Sequence, residues 1–452
     1  MRDYSRQEGI FDQARLRRAK IAVVGTSQLT HYLCTYMAGL GIGNCLIFDG
    51  GGEGYLTKKS SSLERRLDEI NPDMNVDIIS HPFDPNFIGR IDALLDLTNS
   101  PESKAMTRGY ASRERIFYIS SSSSEYKAAV EITVWDDRLG SLLTNKHEAF
   151  EDYRGVAQGT ATSAVASAII LDEARKKIVK VDGDELKGCF IEYASYAGNR
   201  FYFKPAGLSG IVKAERLACR KREGRVLVVG AGGIGTYAAL SLSQAGVPID
   251  LYDGDSIDPT NLNRQVFYYG MVGKNKALVL KKRLQNLFSC RINAFARDFT
   301  EKDIDNFPKY LAMISCVDNP GSKLLLNRAA LENDVPLIDT GVTAFSARLE
   351  AFVPGTNDCI SCRRGKSYGE REGVPESCAS IAVPNIVMCN ALIGAMAAEE
   401  VLNFQKTGEL GEGRFLYLSK KSGKEKFRIA DVKRNCGCTP RSGCSCHEVC
   451  KK

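Results

Sequence analysis

Between residues 225 and 320 the chain gathers the residue types that handle phosphate. Gly230-Ala231-Gly232-Gly233-Ile234-Gly235 fits Gly-x-Gly-x-x-Gly directly after the apolar run Val226-Leu227-Val228-Val229. In such a turn the first glycine allows the bend, the second lets backbone approach a phosphate, and the third lets the next helix pack closely. The helix start then offers unpaired N–H groups to an anion. Asp253 ends the next strand, where a carboxylate can accept from ribose hydroxyls. This much is shared with dehydrogenases. The residues beyond it are not: Asp255, then Asn261-Leu262-Asn263-Arg264-Gln265, then Lys274 and Lys276, and later Asp318 after the apolar run Ile314 to Val317. A guanidinium grips phosphate oxygens as a fork and an ammonium acts as a point charge. Phosphoryl chemistry needs such groups here; hydride transfer does not. Asp318, at a strand's carboxyl end, suits Mg²⁺, which prefers oxygen ligands and substrate phosphates.

Cysteine is the second chemistry. There are fifteen, and nine of them fall after residue 316. Cys359-Ile360-Ser361-Cys362 is a Cys-x-x-Cys knuckle, and Cys436, Cys438, Cys444, Cys446 and Cys450 cluster near the end of the chain. Four thiolates in two pairs suit a tetrahedral structural Zn²⁺. The expected ligands are Cys359, Cys362, Cys436 and Cys438, with His447 and the remaining tail cysteines as alternatives. A redox role is the competing reading of the knuckle. Cys378 lies between the knuckle and the apolar run 381–398, in a Gly- and Pro-containing segment that suits a mobile nucleophile. The four histidines stand beside no nucleophile pattern, which sets aside a Ser–His triad or a histidine zinc protease.

The elements that must position these groups occur twice. Ile21-Ala22-Val23-Val24-Gly25 parallels Val226 to Gly230, and Cys45 to Asp49 parallels Ile249 to Asp253. Ala93 to Asn99 resembles Ala312 to Asn319. Gly188-Cys189-Phe190 resembles Gly413-Arg414-Phe415, at an offset of 225. Four ordered matches predict an internal duplication. Strand–glycine turn–helix–strand units predict an α/β fold of two tandem Rossmann-like, doubly wound domains, over residues 1–215 and 216–452. The second half keeps the chemistry. In the first, Gly25-Thr26-Ser27-Gln28-Leu29-Thr30 retains only the leading glycine, Gly50-Gly51-Gly52 replaces the Asn/Arg segment, and Thr98 falls where Asp318 stands.

Composition fits this reading. The chain has 452 residues, 44% hydrophobic and 25% charged, which argues for two or three globular units and against disorder. Its net charge of +7 is scattered, so nucleic acid is not an expected partner, while an acidic protein is a suitable one. The polar opening Met1 to Glu8 does not read as a signal peptide. The apolar run 381–398 contains Pro384, Asn385 and Asn390 and then meets Glu399-Glu400, so a buried core helix is expected in place of a membrane span. With no export signal, a cytoplasmic, reducing setting is expected.

In these motifs the chain resembles the ubiquitin-activating enzyme superfamily, which includes the ThiF/MoeB-type adenylyltransferases. The resemblance is strong from Arg225 to Val401 and weaker from Tyr4 to Asn99. It implies ATP–Mg²⁺ positions at Gly230, Gly232, Gly233, Gly235, Asp253, Asp255, Asn261, Arg264, Gln265, Lys276 and Asp318. It also implies an inactive first half paired with the active second half as a pseudo-dimer within one chain, hence a monomer. Tyr4-Ser5-Arg6-Gln7 resembles the family's opening motif, whose arginine reaches the partner's ATP; Arg6 is the corresponding residue. Cys378 falls near the family's acceptor cysteine in a crossover loop. The second zinc pair departs from the family pattern, since Cys436-Gly437-Cys438 is tighter than Cys-x-x-Cys.

The implied activity is adenylation of the C-terminal glycine of a ubiquitin-like protein ending in Gly-Gly, followed by thioester formation at Cys378, with a conjugating enzyme as a further partner. No large catalytic-cysteine domain or long domain beyond the zinc region is evident. That leaves open an adenylation-only enzyme acting on a sulfur carrier or peptide. An NAD-dependent oxidoreductase and a catalytically dead scaffold are the readings from other classes. The Arg/Lys-rich segment argues against the first of these and the intact polar set against the second.

Overall fold

A computed structural model describes residues 3–50, 60–125, 127–133, 150, 153–154, 156–179, 189–194, 201–205, 222–364, 385–411, 414–421 and 426–430. Two eight-stranded sheets repeat one plan. The first holds β1 Lys20–Val24, β2 Asn44–Phe48, β3 Asn75–Ile79, β4 Ala93–Asp96, β5 Phe117–Ser123, β6 Lys127–Thr133, β7 Cys189–Ala194 and β8 Phe201–Pro205, in the order β3-β2-β1-β4-β5-β6-β7-β8. The second holds β9 Arg225–Val229, β10 Ile249–Tyr252, β11 Ile292–Phe295, β12 Tyr310–Ser315, β13 Leu337–Val342, β14 Ser346–Phe352, β15 Arg414–Leu418 and β16 Phe427–Ala430, in the order β11-β10-β9-β12-β13-β14-β15-β16. The identical order bears out the duplication and the doubly wound class. The 215/216 boundary lies outside the described residues.

The first five strands of each sheet are parallel and the last three antiparallel. The central strands KIAVV and RVLVV are β-branched and buried on both faces, as parallel strands covered by helices must be. Each opens into a glycine in the left-handed region, Gly25 at φ 95° and Gly230 at φ 99°. These turns sit where the strand order reverses, the crevice in which such sheets bind ligands.

Strand register sharpens two sequence matches. Val24 faces Asp96 and Val229 faces Ser315, and the next helices are capped by Ser100 before Pro101 and by Asn319 before Pro320. Asn99, not Thr98, therefore stands where Asp318 stands. Likewise Glu131 faces Phe190 while Glu350 faces Arg414, so the late match slips by one residue and the offset there is 224. The two halves diverge most after the strand-end aspartates. Asp49 to Ala93 spans 44 residues and Asp253 to Ala312 spans 59. That longer span carries the Asn261–Lys276 segment.

Four helices fill the seam between the sheets: Gln28–Leu40 and Thr160–Val179 from the first half, Gly233–Gln244 and Val387–Thr407 from the second. A single apolar core runs through all four. Val387–Thr407 is long and apolar enough to cross a membrane, yet 94% of its most apolar stretch is buried within the protein. It is the core helix expected from Asn390, Glu399 and Glu400. Across the seam Tyr36 meets Tyr237 edge-on at 5.3 Å, and Tyr32 donates to Gln244 at 2.7 Å.

Candidate functional site

The second half's glycine turn is held from several sides. Asp253, almost fully buried at the end of β10, accepts from the Ala231 N–H at 2.6 Å and from the Asp255 N–H at 2.9 Å. Burial raises its carboxyl pKa, opposed by the Lys276 charge and these two N–H donors. Lys276 pairs with Asp255 at 2.7 Å, and Asn275 donates to the carbonyls of Asp253 and Asp255 while capping the helix Lys276–Leu287. Tyr268 donates its hydroxyl to the Ala231 carbonyl, so the bend has a buried brace that the motif itself did not reveal.

The glycines of the turn face different neighbours. A Cβ on Gly235 would stand 1.8 Å from the Gly230 carbonyl oxygen, which is the close helix packing expected of the third position. A Cβ on Gly233 would stand 2.2 Å from Asn390 Oδ1, so this glycine admits the core helix. A Cβ on Gly232 would meet only Gln265 Nε2, at 3.8 Å. Beside that open backbone, the buried Gln265 Oε1 has no hydrogen-bond partner among the described residues. Gly232 also gives the helix Gly233–Gln244 no side-chain cap. Open backbone and an uncapped helix start together fit an anionic ligand, whereas the orphaned Gln265 Oε1, an acceptor, suits a donor such as a hydroxyl or amino group.

Arg264 is buried and donates to Thr260 O and Asn263 Oδ1, both at 2.9 Å, while its own carbonyl accepts from Tyr237 at 2.7 Å. Asn261 Oδ1 accepts from the Asp258 N–H at 3.2 Å and so shapes the turn before Arg264. Asp318 is exposed just past β12, next to Asn319, and forms no ion pair among the described residues. The chain between β12 and Asp318 touches the turn directly, for a Cβ on Gly230 would meet the Cys316 carbonyl oxygen at 2.8 Å. Thus Asp253, Asp255 and Lys276 are tied to the glycine turn by direct bonds, Gln265 borders Gly232, and the chain leading to Asp318 packs on Gly230.

The first half's crevice is filled by its own side chains. Gln158 Oε1 accepts from the Leu29 N–H at 3.0 Å, taking the helix-start donor an anion would use, and its amide donates to Leu97 O at 3.0 Å. Thr26 donates to Asp49 at 2.7 Å, a hydroxyl where the second half uses a backbone N–H. Gln28 bonds across the seam to Gln244. Asn99 is spent on the carbonyls of Ser123 and Val156, at 2.9 and 2.8 Å. The lost glycines were legible; Gln158, 129 residues from Leu29, was not.

Arg6 lies in the four-residue helix Ser5–Glu8. Its neighbour Gln7 accepts from Asn263 Nδ2 at 3.2 Å, which brings this segment against the residue preceding Arg264. Cys359 is fully buried against the helix Pro320–Asn333 while Cys362 is exposed. Cys378, Cys436 and Cys438 lie outside the described residues, as do Cys444, Cys446, His447 and Cys450. Among the described residues no three His, Cys, Asp or Glu side chains group as a metal site. Cys389 is core, and burial drives its thiol pKa upward; burial likewise pushes Cys316 up to about 12, so neither is a thiolate at neutral pH.

The duplicated sheet, with a glycine turn at each reversal of strand order, defines the class, an α/β protein of two Rossmann-like halves. The chain belongs to the ThiF family, whose profile matches residues 208–439, just over half its length. It is similar to ubiquitin-like modifier-activating enzyme 5 of Drosophila virilis, 26% identical over 248 residues that cover 49% of this chain and 59% of that protein. It is also similar to SUMO-activating enzyme subunit 2 of Dictyostelium discoideum, 30% identical over 145 residues that cover 31% of this chain and 22% of that protein. The chain therefore spans less than two thirds of either relative. Among solved structures it is similar to E. coli MccB with ATP, at 23% identity and a TM-score of 0.42, over 48% of this chain and 66% of that one.

Proposed function

We propose that the second half uses ATP and Mg²⁺ to activate the C-terminal carboxylate of a ubiquitin-like protein, a modifier ending in Gly-Gly. The observation that carries this reading is the contrast between two glycine turns of one design: in the first Gln158 takes the helix-start N–H, and in the second Gly232 stays open before an uncapped helix start, with Asp253 and Lys276 beside it. A carboxylate oxygen attacks the α-phosphorus, the bond to the β-phosphate oxygen breaks, and pyrophosphate leaves with that electron pair. Arg264 and Lys276 bind the phosphate oxygens as negative charge builds, and Arg6 adds a cation from the other half. Asp318 holds Mg²⁺, which when bound neutralises phosphate charge. Asp253 accepts from the ribose hydroxyls. The relatives' names, both activating enzymes, support the substrate class.

A second step occurs at Cys378: its thiolate attacks the acyl carbonyl, the acyl–phosphate bond breaks, and AMP departs. From that thioester the modifier passes to a conjugating enzyme. Cys359, Cys362, Cys436 and Cys438 would hold a structural zinc. The sheet supports this pairing. Glu350 faces Arg414 and Arg414 faces Ala430, so the strands leading to both cysteine pairs end at one edge. Two ladder steps span about 10 Å, and the six residues from Ala430 to Cys436 reach up to about 20 Å. Arg363 Nη2 donates to Ala351 O at 2.9 Å, which turns the knuckle helix back toward that edge.

Isotope exchange between pyrophosphate and ATP tests the first step. Arg264→Ala and Asp318→Ala should each lower it by on the order of 10²-fold or more, the usual cost of removing a transition-state charge partner. Unchanged exchange in both overturns the site. A thiol-sensitive modifier adduct absent in Cys378→Ala supports the second step; exchange without any adduct supports adenylation alone.

A further inference from the structure

We infer that Gln7, contributed by the degenerate half, is a positioning residue for the catalytic crevice of the other half, acting through a buried amide relay centred on Asn263. Gln7 and Asn263 are both fully shielded from solvent. Gln7 Nε2 donates to Gln13 Oε1 at 2.6 Å and to the Leu40 carbonyl at 2.9 Å, so its orientation is fixed by the first half. Its remaining polar atom, Oε1, accepts from Asn263 Nδ2 at 3.2 Å. Asn263 then uses its own Oδ1 to accept from Arg264 Nη1 at 2.9 Å. The direction of each bond is therefore set from Gln13 through to the guanidinium.

The relay has a second arm. Asn263 Nδ2 also donates to the Asn385 carbonyl at 2.8 Å. Asn385 Oδ1 accepts from Asn390 Nδ2 at 2.6 Å, and Asn390 is the side chain that Gly233 admits at the start of the phosphate-facing helix. One carboxamide thus ties together the first half, the charged group beside the glycine turn, and the segment entering the core helix. Buried amides with every donor and acceptor committed specify one geometry, and a missing member leaves the rest unpaired. If Gln7 is lost, Asn263 is held by the Asn385 carbonyl alone, and the acceptor it offers Arg264 is less tightly aimed while Thr260 O remains.

The inference rests on the proposed adenylation for its kinetic readout but not for its structural one. Gln7→Met keeps the volume and removes the relay. Asn71→Ala is the control, because Asn71 Nδ2 donates to Tyr4 Oη at 3.3 Å and to Ala38 O at 3.1 Å, holding the same N-terminal segment without touching Asn263. In the full chain, Gln7→Met should lower kcat for ATP–pyrophosphate exchange about tenfold with KM for ATP changed less than about threefold, a loss that one misaligned charge partner would cause. Asn71→Ala should keep kcat within about twofold even where its melting temperature falls as far. Hydrogen exchange at residues 261–265 should quicken in Gln7→Met and not in Asn71→Ala. Equal effects of the two variants, or unchanged exchange at 261–265 in Gln7→Met, overturn the relay. Absence of catalysis by the parent protein defeats the adenylation reading alone, since the hydrogen-exchange comparison still decides the relay.

Discussion

At the scale of single residues, the glycine turn separates two roles that one motif hides. Gly232 has φ −75° and open space around its missing Cβ, so Gly232→Ala should fold with stability within about 0.5 kcal/mol of the parent. The added methyl would nevertheless occupy the backbone face that a phosphate approaches, and ATP affinity by calorimetry should drop tenfold or more, the worth of one charge-assisted N–H contact (about 1.5–3 kcal/mol). Gly235→Ala should do the reverse. Its Cβ would collide with the Gly230 carbonyl, costing about 2 kcal/mol or more in urea denaturation. Equal loss of stability in both variants would contradict this division. Motif spacing made Gly230, Gly235, Asp253 and Arg264 legible, because local backbone demands fix their types. Tyr268, Asn390 and Gln158 were not legible, because each acts on a partner distant in sequence whose identity leaves no local pattern.

At the scale of elements, the core helix Val387–Thr407 carries an ionisable group with unusual surroundings. Glu399 is buried, and neither carboxylate oxygen has a hydrogen-bond partner among the described residues. Burial, with the neighbouring Glu400 charge, raises its pKa well above the ordinary value. The folded protein keeps this proton where the unfolded chain has already released it. Stability is therefore unaffected by Glu399 below about pH 4.3 and falls as pH rises, by about 1.4 kcal/mol per unit until the folded pKa is passed. Glu399→Gln removes the titration but keeps the shape. It should be more stable than the parent at pH 8, with the advantage shrinking toward pH 5. A difference independent of pH would contradict the assignment. The helix itself was readable from its apolar run, and its polar residues correctly argued for burial in protein. Register was less readable. Motif counting put Thr98 opposite Asp318, while the β1–β4 ladder and the Ser100–Pro101 cap put Asn99 there.

At the scale of the whole molecule, the two halves are joined by apolar packing and, among the described residues, by a buried ionic cluster. Asp172 and Glu173, on the first half's helix Thr160–Val179, meet Lys426 from the second half's final hairpin, with Lys176 and Arg175 alongside. Tyr417 and Ser419 also donate to Asp172. Burial alone would raise the Asp172 carboxyl, but Lys176, Lys426 and Arg175 outweigh it and hold it well below its usual range. Its contribution is thus complete above the unfolded value of about 3.9 and is lost as pH falls through the folded one. Lys426→Met should destabilise the chain by about 3 kcal/mol, because two buried carboxylates lose a shared cation. Denaturant titration at pH 7 checks this, and a change under about 1 kcal/mol would show that the seam does not depend on the cluster. None of these pairings could be read from sequence, where Lys426 is one lysine among several near the end of the chain.

The two halves share one plan, and the proposed function assigns the chemistry to the second, acting on a protein carboxylate. The most direct test supplies the full chain with Mg²⁺, ATP, labelled pyrophosphate and a ubiquitin-like protein ending in Gly-Gly, alongside the same protein with its terminal carboxyl amidated. Label should enter ATP only with the free carboxylate. Label entering equally with the amidated protein, or NADH turnover in place of exchange, would contradict it.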